Sequence, residues 1–443
     1  MRPPRLPKRP AIKPPAIKLP PLPGPPPGPF RPRFWRSPLR GPWLTAVLGS
    51  ILLVLITVVA VTGLISHSAY QPDVVGGYNA TVGPRGDIGP LVSLPSDAPS
   101  WAYALSQGAH ITIGLITIPV LLAKLWSVIP RLFAWPPATS PAQAVERLSV
   151  LLLVGGGLFE FATGVLNIQV FYPWHFGFVR AHYYGAWIFI SALALHFCVK
   201  LPTVVRAYRD QGVLRPLKAD LAHTRPEPYQ PGGLVASAPA SATISRRGLL
   251  GLVGAGSLAL LIANLGESAG GPLRRVALLA PRGRVWGTGP NDFQVNKTAD
   301  FVGVTELASD PRWRLSVAGA RTVKLSRRQL MAMPQRTYEL PIGCVEGWST
   351  TQHWTGVRLR DLAALVGASP EAILEVHSIQ PTGPYTHTAY PAGQVQDDRS
   401  LVALCVNGAD LSLDHGYPAR IIIPALPGVH CTKWLGSMRF LET

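Results

Sequence analysis

Three histidines and one cysteine stand where their chemistry matters most. His110, His182 and His196 lie inside long apolar segments, where an imidazole is costly and marks a functional position rather than packing. His182 and His196 are fourteen residues apart on one segment, which returns to within about 40° of the same helix face and separates them by about 21 Å along the axis. Two hemes stacked through a membrane need that arrangement. His110 sits on an antiparallel segment in the same outer half and is the expected partner of His182. No second histidine lies at the depth of His196. Lys124, fourteen residues after His110, takes the matching place, either toward a heme propionate or the iron or, the favoured reading, snorkelling to the headgroups. His67 at the outer end of the first apolar segment is an alternative ligand or a quinone contact. His175 is interfacial, in a Trp-His-Phe loop.

Cys344 opens the run Cys344-Val345-Glu346-Gly347-Trp348-Ser349 after a strand-like stretch, so an exposed loop is expected to carry its thiol. A thiolate there is a ligand for a soft or high-valent metal. Cys405 and Cys431 lie in apolar surroundings and read as buried, unbonded thiols. Four cysteines in 443 residues form neither a disulfide framework nor a zinc pattern. The glycines at 155–157 and 251–256 fall within apolar helices and permit close packing rather than nucleotide binding.

The elements that must position these residues follow from composition. The chain is 47% hydrophobic but only 14% charged, with net charge +18, a balance that suits a membrane protein better than a soluble enzyme. Residues 1–42 contain ten Lys/Arg, sixteen Pro and no acid, which predicts an extended, solvated arm retained on the cytoplasmic side. Its charge lies outside any nucleic-acid-binding module, so nucleic acid is not an expected partner. Four spans follow within a helical domain at 43–205: 43–66, 103–126, 148–168 and 183–204, each about as long as the ~30 Å hydrocarbon core requires. Lys124, Arg131, Arg147, Lys200, Arg206 and Arg209 mark cytoplasmic connections, and the loop holding Asp73, Arg85, Asp87 and Asp97 faces outward. A polar linker covers 206–245 and a fifth apolar helix 246–266. From 271 to 443 the pattern changes to short β-rich runs at 314–317, 374–379, 401–406 and 420–424 with one helix at 358–366, an α+β domain.

Three resemblances add to this reading. The paired histidines on facing helices resemble membrane b-type cytochromes, which implies heme b, one or two per chain. Ser245-Arg246-Arg247-Gly248-Leu249-Leu250 resembles a twin-arginine export signal, which implies export of the C-terminal domain by that machinery and a signal-anchor helix. The stretch Tyr338 to Leu365, then Leu401 to Gly408, Asp414 to Arg420, Pro427-Gly428 and Lys433-Trp434-Leu435 resembles the molybdopterin domain of the sulfite oxidase superfamily. Its Cys-Val-Glu-x-Trp-Ser form is similar to the catalytic subunit of periplasmic methionine sulfoxide reductases. That resemblance implies a molybdenum-molybdopterin cofactor with Cys344 as thiolate ligand. It places Asn296, Ser378, His415, Arg420 and the Cys431-Thr432-Lys433 segment at the pterin and its phosphate. Ser378 and His415 depart from the Thr and Asn of those reductases. Tyr385, His387 and Tyr390, on a Pro/Gly-rich loop, are candidates for the substrate side.

The expected whole is a multi-domain protein: an all-α transmembrane four-helix bundle, a signal-anchor helix and a sulfite-oxidase-like α+β domain outside the cytoplasmic membrane of a bacterium. It is expected to transfer oxygen atoms to or from a small oxo-donor or oxo-acceptor and to exchange electrons with quinone or quinol. Reduction of a sulfoxide or N-oxide is favoured over oxidation of sulfite. A non-catalytic heme electron-transfer protein is the rival from another class.

Overall fold

The computed structural model describes residues 24–70, 78–80, 98–137, 140–229, 233–284, 286–383 and 386–442. Five helices are long and apolar enough to cross a membrane: α1 (Pro42–Tyr70), α2 (Ala102–Leu132), α3 (Pro141–Ile168), α4 (Phe178–Gln211) and α5 (Arg246–Ala269). The first, second and fourth overrun the expected spans at both ends, the third begins earlier and ends at Ile168 as expected, and the fifth begins at Arg246 as expected and runs three residues further. Ser140 accepts from Gln143 N at 3.2 Å with Pro141 at the first helical position, and Ser245 accepts from Gly248 N at 3.1 Å. Hydroxyls inside the apolar runs bond back to the helix, as Thr57 does to Leu53 O and Thr62 to Val58 O, both at 2.7 Å. Neither of these hydroxyls is thereby presented bare to hydrocarbon.

The five helices pack together, α1 against α2 and α4, α3 against α4, and α5 along α2. The fifth helix thus packs on the other helices along α2. Ser257 Oγ donates to Ile116 O at 2.7 Å and Asn264 Nδ2 to Thr112 Oγ1 at 2.9 Å, contacts that hydropathy alone does not reveal. A Cβ on Gly157 would stand 3.2 Å from the Phe189 ring, so the small residues of α3 do permit the close approach of α4.

The arm and the linker differ from expectation. Within the described part of the arm, Arg40 lies over the Trp126 and Trp35 rings at 4.4 and 5.2 Å and its Nε donates to Trp126 O at 3.0 Å. Aromatic residues between the prolines give this stretch something to bury. The linker packs likewise: Glu227 accepts from the Trp43 backbone N–H at 3.3 Å, and Arg246, 6% exposed, donates to Arg225 O at 2.9 Å. Asp73, Arg85, Asp87 and Asp97 lie outside the described residues.

The C-terminal domain is a pair of sheets with short helices between strands. One sheet contains β1 (Tyr78–Ala80), β2 (Arg314–Ala318), β3 (Thr322–Ser326), β6 (Ile373–Ser378), β7 (His387–Tyr390) and β11 (Leu435–Leu441), in the order β1-β7-β6-β11-β2-β3. The other is formed by β4 (Arg336–Gly343), β5 (Ser349–Arg358), β8 (Leu401–Val406) and β10 (Arg420–Ile422), ordered β10-β8-β5-β4, with β9 (Ala409–Asp410) beside β8. Alternate residues of both sheets, among them Leu315, Val376, Phe440, Val402, Leu404 and Ile421, meet in one core. Each such side chain contributes roughly 1.5–3 kcal/mol on burial. The strands expected at 314–317, 374–379 and 401–406 and the helix at 358–366, here Leu359–Leu365, are present; the last strand stops at Ile422, before Pro424.

Candidate functional site

Strand β4 ends at Gly343, and residues 344–348 turn the chain into β5. Cys344 N donates to Trp348 O at 2.8 Å and Gly347 N to Cys344 O at 3.0 Å, with Gly347 at φ +98°. Glu346 braces the turn, accepting from Arg282 Nε at 2.9 Å, Arg282 Nη2 at 2.6 Å and Trp348 Nε1 at 2.9 Å. The turn is not exposed: Cys344 is only 4% accessible, because the turn lies on the helical domain. Gln107 of α2 donates to Val345 O at 2.7 Å, and Ser268 of α5 donates to Gly347 O at 2.6 Å while its own carbonyl accepts from Ser349 Oγ at 2.7 Å. A Cβ at Gly343 would stand 3.1 Å from the Tyr103 ring, and Gly347 lies against Ile111. Burial, then the Glu346 carboxylate, push the Cys344 thiol well above its ordinary range, so a bound metal must replace its proton.

Beside the turn is a buried basic pocket. Arg420 is 5% exposed, donates from Nη1 to His415 O at 3.0 Å and from Nη2 to Cys431 O at 3.2 Å, and leaves its buried Nε without a partner. Burial lowers its pKa to about 10. Lys433 Nζ donates to Lys297 O at 2.6 Å, Asp414 O at 2.9 Å and Asn296 Oδ1 at 3.2 Å. Burial, followed by the Arg420 charge, lowers its pKa well below the usual lysine value. Gly416, at φ +107°, packs between these cations; a Cβ there would stand 3.1 Å from each. A buried guanidinium with an orphaned donor beside a half-buried lysine suits an anionic guest such as a phosphate.

Asn296, Arg420 and Lys433 converge here, and the three other expected contacts, Ser378, Thr432 and His415, brace the segments around them. Ser378 Oγ donates to Lys433 O at 2.8 Å and Trp434 O at 3.1 Å, bracing that segment. Thr432 Oγ1 lies 3.1 Å from Thr388 Oγ1. His415 stacks on Phe293 at 3.7 Å and its Nε2 lies 2.9 Å from Asn291 O, burial and the two cations driving its pKa to about 3. His387 and Tyr390 sit on strand β7 rather than a loop. Tyr390 points into the core and donates to His430 O. Tyr385 lies outside the described residues. Cys405 and Cys431 are free thiols.

Beneath the turn, within the helices, is a cavity of about 210 Å³ lined by His67, His110, His182, Tyr183 and, at its C-terminal-domain side, Val345. His110 Nδ1 is held 2.9 Å from Val59 O; His182 Nδ1 lies 3.0 Å from Thr163 Oγ1 and 3.2 Å from Glu160 Oε2. Anchoring one ring nitrogen presents the other to a metal. The two rings are 6.2 Å apart at 88°. With a metal–nitrogen bond of ~2.0 Å and the ring centre ~1.1 Å beyond it, two imidazoles on opposite sides of one ion stand about 6 Å apart. Glycines make the room: a Cβ on Gly63 would stand 2.7 Å from the His110 ring and one on Gly164 3.4 Å from that of His182. His67 stacks on Tyr183 at 3.7 Å.

His196 does not line this cavity. Lys124 Nζ donates to Thr45 O at 2.6 Å, a carbonyl near the start of α1. His175 is exposed. Sequence reasoning missed Gln107, Arg282 and His430, whose Nε2 lies 2.9 Å from Ala69 O at the end of α1. Each gains its role from a contact distant in sequence, and no local pattern announces it.

Residues 302–443 match the family described as oxidoreductase molybdopterin binding domain. Among curated relatives, the uncharacterized oxidoreductase YuiH of Bacillus subtilis is 32% identical over 135 residues, 30% of this chain and 66% of that protein. Mitochondrial sulfite oxidase of Rattus norvegicus is 29% identical over 170 residues, 32% of this chain and 31% of that one. Of solved structures, the sulfane dehydrogenase SoxCD from Paracoccus pantotrophus aligns at 23% identity and TM-score 0.28, covering 30% of this chain and 39% of that chain. The chain thus spans less than two thirds of the length of these relatives. Its C-terminal part is a molybdopterin-binding oxidoreductase domain of the sulfite oxidase type. The family match begins at residue 302, beyond the five helices.

Proposed function

We propose that the protein is a membrane-bound molybdopterin-dependent oxidoreductase that reduces a sulfoxide or N-oxide with electrons taken from quinol through a heme b held by His110 and His182. The observation that carries this reading is Val345: it lines the histidine cavity and is bonded through the chain to Cys344. A donor in the cavity and an acceptor on the thiolate are then neighbours across one residue.

Molybdenum on a pterin supplies two-electron oxygen-atom transfer, and heme iron supplies single-electron steps. The chain holds and insulates them. Cys344 would provide the thiolate, Arg420, Lys433 and Asn296 would receive the cofactor's phosphate, and Glu346 with Arg282 holds the Cys344 turn. The apolar cavity wall keeps water from the electron path. The reaction balances as sulfoxide plus two electrons and two protons giving sulfide and water, the electrons and protons released by oxidation of a quinol. The helix ends agree with a cytoplasmic arm and an exported C-terminal domain: the start of α1, the end of α2, the end of α4 and the start of α5 gather at one end of the bundle. The C-terminal domain sits at the other. Twin-arginine export through Arg246 and Arg247 fits a domain that folds around its cofactor before crossing.

The test is purification in detergent with molybdenum and heme quantified together, followed by quinol-driven sulfoxide reduction. One molybdenum and at least one heme per chain with turnover is the expected result. Heme without molybdenum supports a non-catalytic electron-transfer protein, and molybdenum without heme removes the role given to His110 and His182. A second reading, sulfite oxidation, is favoured by the relatives that carry the name sulfite oxidase; rapid reduction of the heme on adding sulfite would establish that direction.

A further inference from the structure

On the C-terminal domain, away from the cysteine turn, two histidines and a glutamate meet on one sheet face. His377 of β6 and His387 of β7 are directly opposite in the antiparallel register, their rings stacked at 3.8 Å and 24°. Glu375 lies two residues before His377 and therefore on the same face. The ligand atoms of all three lie within 4.8 Å of one another. We propose that Glu375, His377 and His387 form a binding site for a divalent transition-metal ion.

The chemistry of the donors sets the class. Two imidazoles and one carboxylate suit zinc, copper or nickel, whereas magnesium and calcium take all-oxygen sets. The scaffold is rigid, since β6 is flanked by β7 on one side and β11 on the other. Three donors on neighbouring strands are already close, and a turn of one imidazole out of the stack aims both ring lone pairs at one ion. His377 is exposed and the other two half-buried, so an ion enters from solvent and still loses part of its hydration shell. Arg439 stands opposite Glu375 on β11. The site backs onto the pterin-side pocket: residues one further along each strand, Ser378 and Thr388, point to the opposite face and touch Lys433 and Thr432. An ion at Glu375, His377 and His387 therefore pins the two strands that brace those residues.

The experiment uses the full-length, detergent-solubilised protein without a polyhistidine tag, freed of loose metal by a chelator. It is titrated with Zn²⁺ alone and bound zinc is counted by mass spectrometry. One zinc per chain is expected, absent from His377→Ala and His387→Ala and weakened in Glu375→Gln, with molybdenum and heme contents unchanged. Equal zinc in the parent and both histidine variants, or none in the parent, overturns the proposal. If a variant loses its cofactors, Cu²⁺ bound to the parent decides. An electron paramagnetic resonance spectrum with splitting from two imidazole nitrogens supports the site, and a spectrum without nitrogen splitting overturns it.

Discussion

The two ends of the helical domain contain similar residues put to different use. At the end facing the C-terminal domain, His110 and His182 each spend one ring nitrogen on the protein and line a cavity with the rest of the ring. At the opposite end, Lys124 is bonded to Thr45 O, Arg40 to Trp126 O, Arg246 to Arg225 O and Glu227 to the start of α1. Polar groups bonded to a neighbouring element of their own chain hold helices together, while histidines bonded at one ring nitrogen beside a void are prepared for a guest. His182 and His196 share a helix face, yet only His182 borders the void.

The sharpest way to break this comparison is at the roof of the cavity. Cys344→Ser should lower sulfoxide turnover by at least ~10³-fold while leaving heme absorbance intact, because the substitution removes a metal ligand without touching the histidines. Activity within a factor of about two of the parent would sink the ligand assignment.

Next in size, His182→Ala and His110→Ala should each abolish the b-type absorbance and cut quinol-driven turnover by ~10²-fold or more, with turnover from a reduced dye retained. A dye that fails as completely as quinol would mean that the damage reaches the molybdenum side. Smaller again, Glu346→Gln weakens the clamp from Arg282 and Trp348 and should lower kcat roughly tenfold. A rise in KM with kcat unchanged would place Glu346 in substrate binding instead.

The opposite end should respond least. Lys124→Met removes one hydrogen bond from a site where the methylene stem already packs, so unfolding stability should change by less than about 1.5 kcal/mol. His196→Ala should leave heme content and turnover within about twofold of the parent. Loss of half the heme in that variant would reveal a second heme site and overturn the contrast between the two ends.

Local chemistry was readable along the chain. Uninterrupted apolar runs make helices because every backbone group must be bonded within hydrocarbon, and short apolar runs bounded by Gly, Pro and Asp turns make the strands at 314–318, 373–378 and 401–406. The helical period put His182 and His196 on one face, and the order of motifs around Cys344, Arg420 and Lys433 carried the family likeness. What stands opposite a residue was not readable. Cys344 reads as exposed because its turn is polar, yet α2 and α5 cover it through Gln107 and Ser268. Glu375, His377 and His387 are divided by a Pro/Gly-rich loop and become neighbours only when β6 pairs with β7. Periodicity is a property of a segment and sets which way a side chain points. Burial, hydrogen-bond partners and the cavity between His110 and His182 depend on contacts between segments far apart in sequence, and these exist only once the chain has packed.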